Sequence, residues 1–145
     1  VHLMTQHPNY QIGHYAKAGC KVINVHLEVG GLLHLRKLCD KYKVKMGIAI
    51  NPETSINKLE PYLDIADEFL VMSVHPGKGG QKFLNSTLTK VKYLRSKTKK
   101  IIKVDGGIRK EHLKALKIAG VDIVVIGSYL FEGDPVKTLV DFKKI

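Results

Sequence analysis

Short apolar runs alternate with helically spaced stretches along almost the whole chain, and this alternation restricts the fold more than any other feature. The runs at 1–5, 21–27 (KVINVHL), 44–50 (VKMGIAI), 69–75 (FLVMSVH), 101–105 (IIKVD) and 122–126 (DIVVI) read as strands. They are apolar on both faces, as strands of a parallel sheet covered by helices must be. Stretches at 8–18, 31–42, 54–63, 84–97, 109–119 and 135–144 follow them with helical spacing, as in Leu88, Val91 and Leu94 or Leu113, Leu116 and Ile118. Thr54-Ser55 marks a candidate helix start and Gly120 a helix stop. With 145 residues there is room for one domain, and no linker or low-complexity segment interrupts the pattern.

Two α/β architectures accommodate six such units: an open doubly wound sheet and a TIM (β/α)₈ barrel. The first strand-to-helix turn, Thr5–Asn9, has no glycine, which argues against a dinucleotide fold, and no P-loop is present. Glycines gather instead after the fourth, fifth and sixth strands, at Gly77, Gly79 and Gly80, at Gly106 and Gly107, and at Gly127. Phosphate sites of β/α barrels are commonly built from backbone amides at the ends of late strands. A barrel is therefore the expectation. Eight units usually need 200 residues or more, so residues 1–145 read as a single, incomplete barrel domain with about six of the eight units, starting inside a strand.

Charge and cysteine content narrow the chemistry. The net charge is +11, and 21 of the 24 cationic residues are Lys. Such a field draws anions, whether phosphorylated metabolites or nucleic acid. Base readout leans on bidentate Arg, so a Lys-dominated charge favours solvated helix faces over a nucleic-acid surface. No apolar run is long enough to span a membrane and no secretory leader is visible. Cys20 and Cys39 fit small buried hydrophobes in a reducing, cytoplasmic setting.

In β/α barrels the chemistry sits at the carboxyl ends of the strands. Asp105 ends the fifth strand just before Gly106-Gly107, where a carboxylate serves as general base, metal ligand or helix-capping turn residue. His2 is a candidate metal ligand or an ordinary strand histidine. His26 and Glu28 end the next strand, as metal ligands or as hydrogen-bonding support for them. His7, His14, His34 and His112 read as surface residues. The segment His75-Pro76-Gly77-Lys78-Gly79-Gly80-Gln81-Lys82-Phe83 places three glycines and a cation between strand and helix. It reads as an anion cradle or as a flexible loop. Gly127-Ser128 offers a second set of donors, and two such loops on successive strands favour the phosphate reading. Met4 and Met72 lie near strand ends, where packing and site lining are both open.

The strings VHLM, VINVHLE, KMGIAINPET, VMSVHPGKGGQKF, VDGGI and VVIGSYLF resemble the ribulose-phosphate 3-epimerase family, in order and across essentially the whole chain. The resemblance implies a (β/α)₈ barrel that interconverts ribulose 5-phosphate and xylulose 5-phosphate with one divalent metal ion (zinc, iron(II), manganese or cobalt). It implies His2 and Asp105 as metal ligands and Asp105 as one of two acid/base carboxylates. Gly77, Lys78, Gly79, Gly80, Gly107, Gly127 and Ser128 would then bind the substrate's phosphate, with His2 at the sugar, and Met4 and Met72 would line the site.

The family's first two strands carry a serine, a second histidine and the partner aspartate, which have no counterpart here. The expectation is that this chain alone does not epimerise. Association into a homo-oligomer is one way for an incomplete barrel to cover its open edges. His75, Lys78 and Lys103 also depart from the family pattern, and Lys103 is expected to pair with Asp105 and lower its pKa. The NPET string at 51–54 is similar to hexulose-6-phosphate 3-epimerases of the allulose 6-phosphate type, an alternative substrate class. A non-catalytic sugar-phosphate-binding module is the other alternative. Neither a membrane nor a nucleic acid is an expected partner.

Overall fold

Six parallel strands pair in strictly sequential order in the computed structural model, which describes residues 1–143. They are β1 (His2–Leu3), β2 (Val22–His26), β3 (Lys45–Ile50), β4 (Glu68–Met72), β5 (Ile101–Asp105) and β6 (Ile123–Val125). A doubly wound sheet reverses its strand order at a switch point, whereas this one only advances. The strands form a curled half-barrel, as the sequence leads one to expect. Between them run α1 (Asn9–Lys17), α2 (Leu32–Lys41), α3 (Ser86–Lys97) and α4 (Leu113–Ala119), and α5 (Pro135–Lys143) follows β6. Residue 144 of the last expected helix lies outside the described residues.

Side chains alternate across each strand, and the parallel register lines them up into two different faces. One face carries Leu3, Ile23, Val25, Met46, Ile48, Ile50, Phe69, Val71, Ile102 and Val104, all buried against Ile12, Leu35, Val91, Leu94 and Leu116 from the helices. This is the main core. The concave face carries His2, Asn24, Gly47 and Glu68 in one register row. Above it run His26, Ala49, Leu70 and Lys103, and then Met72 and Asp105. Ala49, Leu70 and Met72 form a small separate apolar cluster there. Glycine is required in the first row, since a Cβ at Gly47 would come 1.9 Å from Asn24 Oδ1 and 3.0 Å from Glu68 Cγ. The polar chains of the neighbouring strands lie across it.

Several sequence expectations need correcting. The stretch at 54–63 is a 3₁₀ helix, Ile56–Tyr62, not an α-helix, and Pro61 inside it lacks an N–H for the α ladder. Ser55 makes no capping bond, and the Thr54 hydroxyl donates instead to Glu28 Oε1 at 2.6 Å. The strands expected at 1–5 and 69–75 are shorter, because Met4 already leaves β1 and Ser73 turns its hydroxyl to the carbonyls of Asp105 and Gly106. Gly120 does stop α4, at φ +97°. Cys39 is buried as expected, and burial pushes its thiol up to about 11. Cys20 is only half-buried, with its thiol donating to the Val22 carbonyl at 2.9 Å. His112 is not a free surface residue: it stacks on Phe83 with ring centroids 4.4 Å apart.

Candidate active site

At the carboxyl ends of β4, β5 and β6 lies a cavity of about 370 Å³. Met4, Met72 and Asp105 line it on the sheet side, and Gly77, Lys78, Gly79, Gly80, Gly107, Gly127 and Ser128 line it on the loop side. The structure thus brings these ten residues together, while His2 sits just behind Asp105. Two glycines weld the loops into one wall. A Cβ at Gly107 would meet the Gln81 carbonyl oxygen at 2.5 Å and the Phe83 nitrogen at 2.6 Å, and one at Gly106 would meet Val74 Cγ2 at 2.3 Å. The Gly80 N–H donates to Ser128 Oγ at 3.1 Å, tying the loop after β4 to the turn after β6. Gln81 Nε2 donates to the carbonyls of His75 and Lys78, both at 2.7 Å, which fixes the loop's bend.

Asp105 Oδ2 lies 3.9 Å from His2 Nδ1, and burial raises the Asp105 pKa above the ordinary carboxylate value. Lys103 does not pair with Asp105 as expected from sequence. Its Nζ lies 2.5 Å from Glu68 Oε1, one strand away and deeper in the concave face. The pKa of Asp105 therefore moves up rather than down. His75 turns to Glu53, with Nδ1 2.7 Å from Oε1, so this departure from the family pattern bridges the loops after β3 and β4.

A chain of hydrogen bonds sets the tautomer of His2. The Glu28 carboxyl would rise through burial, but hydrogen bonds from His26, the Thr54 hydroxyl and the Asn51 N–H hold it at about 2. Being ionised, Glu28 needs a donor, which His26 Nδ1 supplies at 3.2 Å. With its Nδ1 turned to Glu28, His26 presents Nε2 as acceptor to the Nε2–H of His2, 2.8 Å away. Burial first, and the neighbouring His26 second, depress the His2 pKa to about 4, so His2 is neutral near pH 7. Its Nδ1 is consequently a lone pair, buried without a hydrogen-bond partner and facing a carboxylate.

Lone pair against carboxylate is an arrangement that a cation relieves. Neutral imidazole and carboxylate suit a divalent transition metal, with ligand bonds of about 2.0–2.2 Å that span two donors 3.9 Å apart. The residues present fit a metal as two of its ligands. Among the described residues no group of three or more His, Cys, Asp and Glu side chains converges on one point.

The same pKa values predict how acid acts on the fold. The unfolded chain takes up a proton on His2 below about 6.5, the folded chain only below about 4. With chelator present, stability to urea should fall between those pH values by roughly 3 kcal/mol. Glu28 contributes in the window from 4.5 down to about 2. Replacing His2→Asn should flatten the upper window only, and an unchanged slope there would refute the buried neutral imidazole.

Some site residues were not anticipated from sequence. Arg109, Tyr129 and Glu132 also line the cavity. An Arg two residues after the Gly106-Gly107 pair was the available signal, since that segment follows the strand into the site.

A model of the Ribulose-phosphate 3 epimerase family matches residues 1–131. The chain belongs to the ribulose-phosphate 3-epimerase family. It is 39% identical to a ribulose-phosphate 3-epimerase of Bacillus subtilis (strain 168), over 90% of this chain and 64% of that protein. With a chloroplastic ribulose-5-phosphate-3-epimerase of Arabidopsis thaliana it shares 34% identity, over 90% of this chain and 50% of the plant protein. The chain thus spans less than two-thirds of the length of these relatives. Solved structures agree on the fold. A 3-hexulose-6-phosphate synthase from Salmonella typhimurium superposes with a TM-score of 0.73 at 17% identity, covering 93% of this chain and 65% of that one. The tryptophan synthase a2b2 complex of Pyrococcus furiosus gives 0.73 at 16% identity, covering 95% and 64%. None of the described helices is long and apolar enough to cross a membrane.

Proposed function

We propose that this chain acts in the epimerisation of a ketose phosphate at carbon 3, with D-ribulose 5-phosphate and D-xylulose 5-phosphate as the pair interconverted. The observation that carries the reading is a single cavity that holds Asp105 and a glycine-lined anion cradle within one small volume. A pentulose phosphate needs both: amide donors for its phosphate, and a carboxylate at the carbon beside its ketone.

Asp105 takes the proton from carbon 3, and its raised pKa makes it a stronger base than an exposed aspartate. The phosphate is gripped by the N–H groups of Gly77–Gly79 and by the hydroxyl of Ser128, which Gly80 N–H holds in place, and this fixes the depth of the sugar. Met72, 2% exposed, and Met4 cover the reacting carbon with apolar surface that neither gives nor takes protons. His2 Nδ1 and Asp105 would hold one divalent metal ion, which supplies Lewis-acid stabilisation of negative charge on the substrate's oxygens. Inversion needs a second acid on the opposite face of the carbon. Asp105 is the described carboxylate that lines the cavity on the sheet side with the methionines, whereas Glu132 lines it with Arg109 on the loop side.

The test follows from that asymmetry. The chain, supplied with divalent metal and either pentulose 5-phosphate in D₂O, should introduce deuterium at carbon 3 of one epimer without producing the other. Exchange is read by NMR and epimer formation by chromatography. Inversion of the centre would show that a second group completes the site. A folded chain that binds the sugar phosphate and exchanges nothing would sink the role given to Asp105.

A further inference from the structure

Arg109 stands over the phosphate end of the cavity in a position that its structural contacts alone do not explain. Its guanidinium donates to Glu132 Oε1 at 2.6 Å and lies 4.8 Å above the Tyr129 ring. All three residues line the cavity with the glycine loops and Ser128. Both partners of the ion pair are nearly half-exposed, 44% and 47%. A pair this wet adds little to stability, about 0–1 kcal/mol. What it does is hold a planar, permanently charged fork at the mouth of a cradle of N–H donors. The other ionisable side chains lining the cavity are Lys78, His75 and Asp105. Lys78 is exposed, and His75 is engaged with Glu53.

We propose that Arg109 is the cationic ligand of the substrate's phosphate and that Glu132 is its placeholder, occupying the guanidinium until the phosphate displaces it. This rests on the sugar-phosphate reading above and adds to it a residue pair that sets affinity. Guanidinium fits phosphate oxygens two at a time, and a phosphate dianion is a stronger partner than a half-exposed carboxylate. Tyr129 supports the guanidinium from below, so it keeps its place when it changes partner. Exchange at this pair makes affinity depend on two residues with opposite signs: Arg109 attracts the phosphate, while Glu132 competes for Arg109 and repels the anion.

Opposite signs give the test. Isothermal titration at fixed ionic strength measures binding of inorganic phosphate and of ribulose 5-phosphate to the wild type and to variants. Arg109→Met should weaken both ligands by about tenfold to a hundredfold. Arg109→Lys should fall in between, keeping charge but losing the fork. Glu132→Gln should tighten both by about twofold to fivefold. Lys92→Met on the exposed side of α3 and Asp64→Asn, both outside the cavity, control for net charge and should stay within about twofold.

A purely structural ion pair would be broken by Arg109→Met and Glu132→Gln alike, so changes in the same direction would overturn the proposal. So would an Arg109→Met effect no larger than that of Lys92→Met. Should Arg109→Met fail to fold, Glu132→Gln decides alone: tightening supports the placeholder, and weakening or no change refutes it. A wild type that binds neither ligand overturns the proposed function and this inference together. A wild type that binds phosphate with Arg109 irrelevant overturns this inference only.

Discussion

Asp105→Asn should lower deuterium exchange at carbon 3 by about a hundredfold to ten-thousandfold, the range expected when a positioned general base is removed. The carboxamide keeps the shape of the side chain and cannot accept the proton. Its backbone role is untouched, because the Ser73 N–H bonds to the Asp105 carbonyl at 2.8 Å whichever side chain is present. Stability gives the control. Burial raises the Asp105 pKa, so the charged form is disfavoured in the folded chain and a neutral side chain relieves that cost at pH 7. The variant should therefore unfold at the same urea concentration as the wild type or a higher one, in chelator. It should also bind inorganic phosphate within about twofold, because the glycine cradle is unchanged. Full exchange in a variant of normal stability would refute Asp105 as the base; lost exchange accompanied by lost stability would mark it as structural.

The residues that could be read from sequence are those whose role is local. Gly107, after β5, marks a place where backbone approaches backbone, while a Cβ at Gly106 would meet the Val74 side chain and one at Gly79, after β4, meets only Ser128 Oγ at 3.8 Å. Asp105 announces itself by ending a strand beside Gly106 and Gly107. Short, largely apolar strands alternating with helical stretches pointed to a parallel sheet, and the six described strands pair in parallel and in sequence, although their concave face carries several polar side chains. The failure at Lys103 has a non-local cause: it depends on which residues of neighbouring strands fall opposite one another. Lys103 has Asp105 two residues away on its own strand, so local reasoning pairs them. The register places Lys103 opposite Leu70, with Glu68 two residues earlier on that same strand and face, and the ammonium turns there. The His2–His26 contact and the Arg109–Glu132 pair likewise join residues whose proximity only the fold creates. The crossover at 54–63 has helical spacing, but spacing alone does not register the missing N–H of Pro61.

The largest effect on stability should come from that same misread pair. Glu68 is 4% exposed and the Lys103 side chain 18%, so both charges have left most of their water. Taking one away strands the other. Glu68→Leu and Lys103→Met should each cost about 3–5 kcal/mol, the range for an uncompensated buried charge. In a chain of this length that lowers Tm by roughly 10 °C. The double variant should recover most of the loss, because two apolar side chains of similar volume need no partner and would adjoin Leu70 and Ala49 on the same face. Urea unfolding of the four proteins at one pH closes the cycle, and the coupling is read from the midpoints at constant slope. Additive single effects would mean that the two charges do not sense each other. A Glu68→Leu cost under about 1 kcal/mol would mean that Lys103 finds another carboxylate, and Asp105, on the same face of its own strand, is the one to test. Repeating Glu68→Leu in the Asp105→Asn background separates the cases: the small cost should grow to the full 3–5 kcal/mol if Asp105 had rescued the ammonium, and stay small if solvent had.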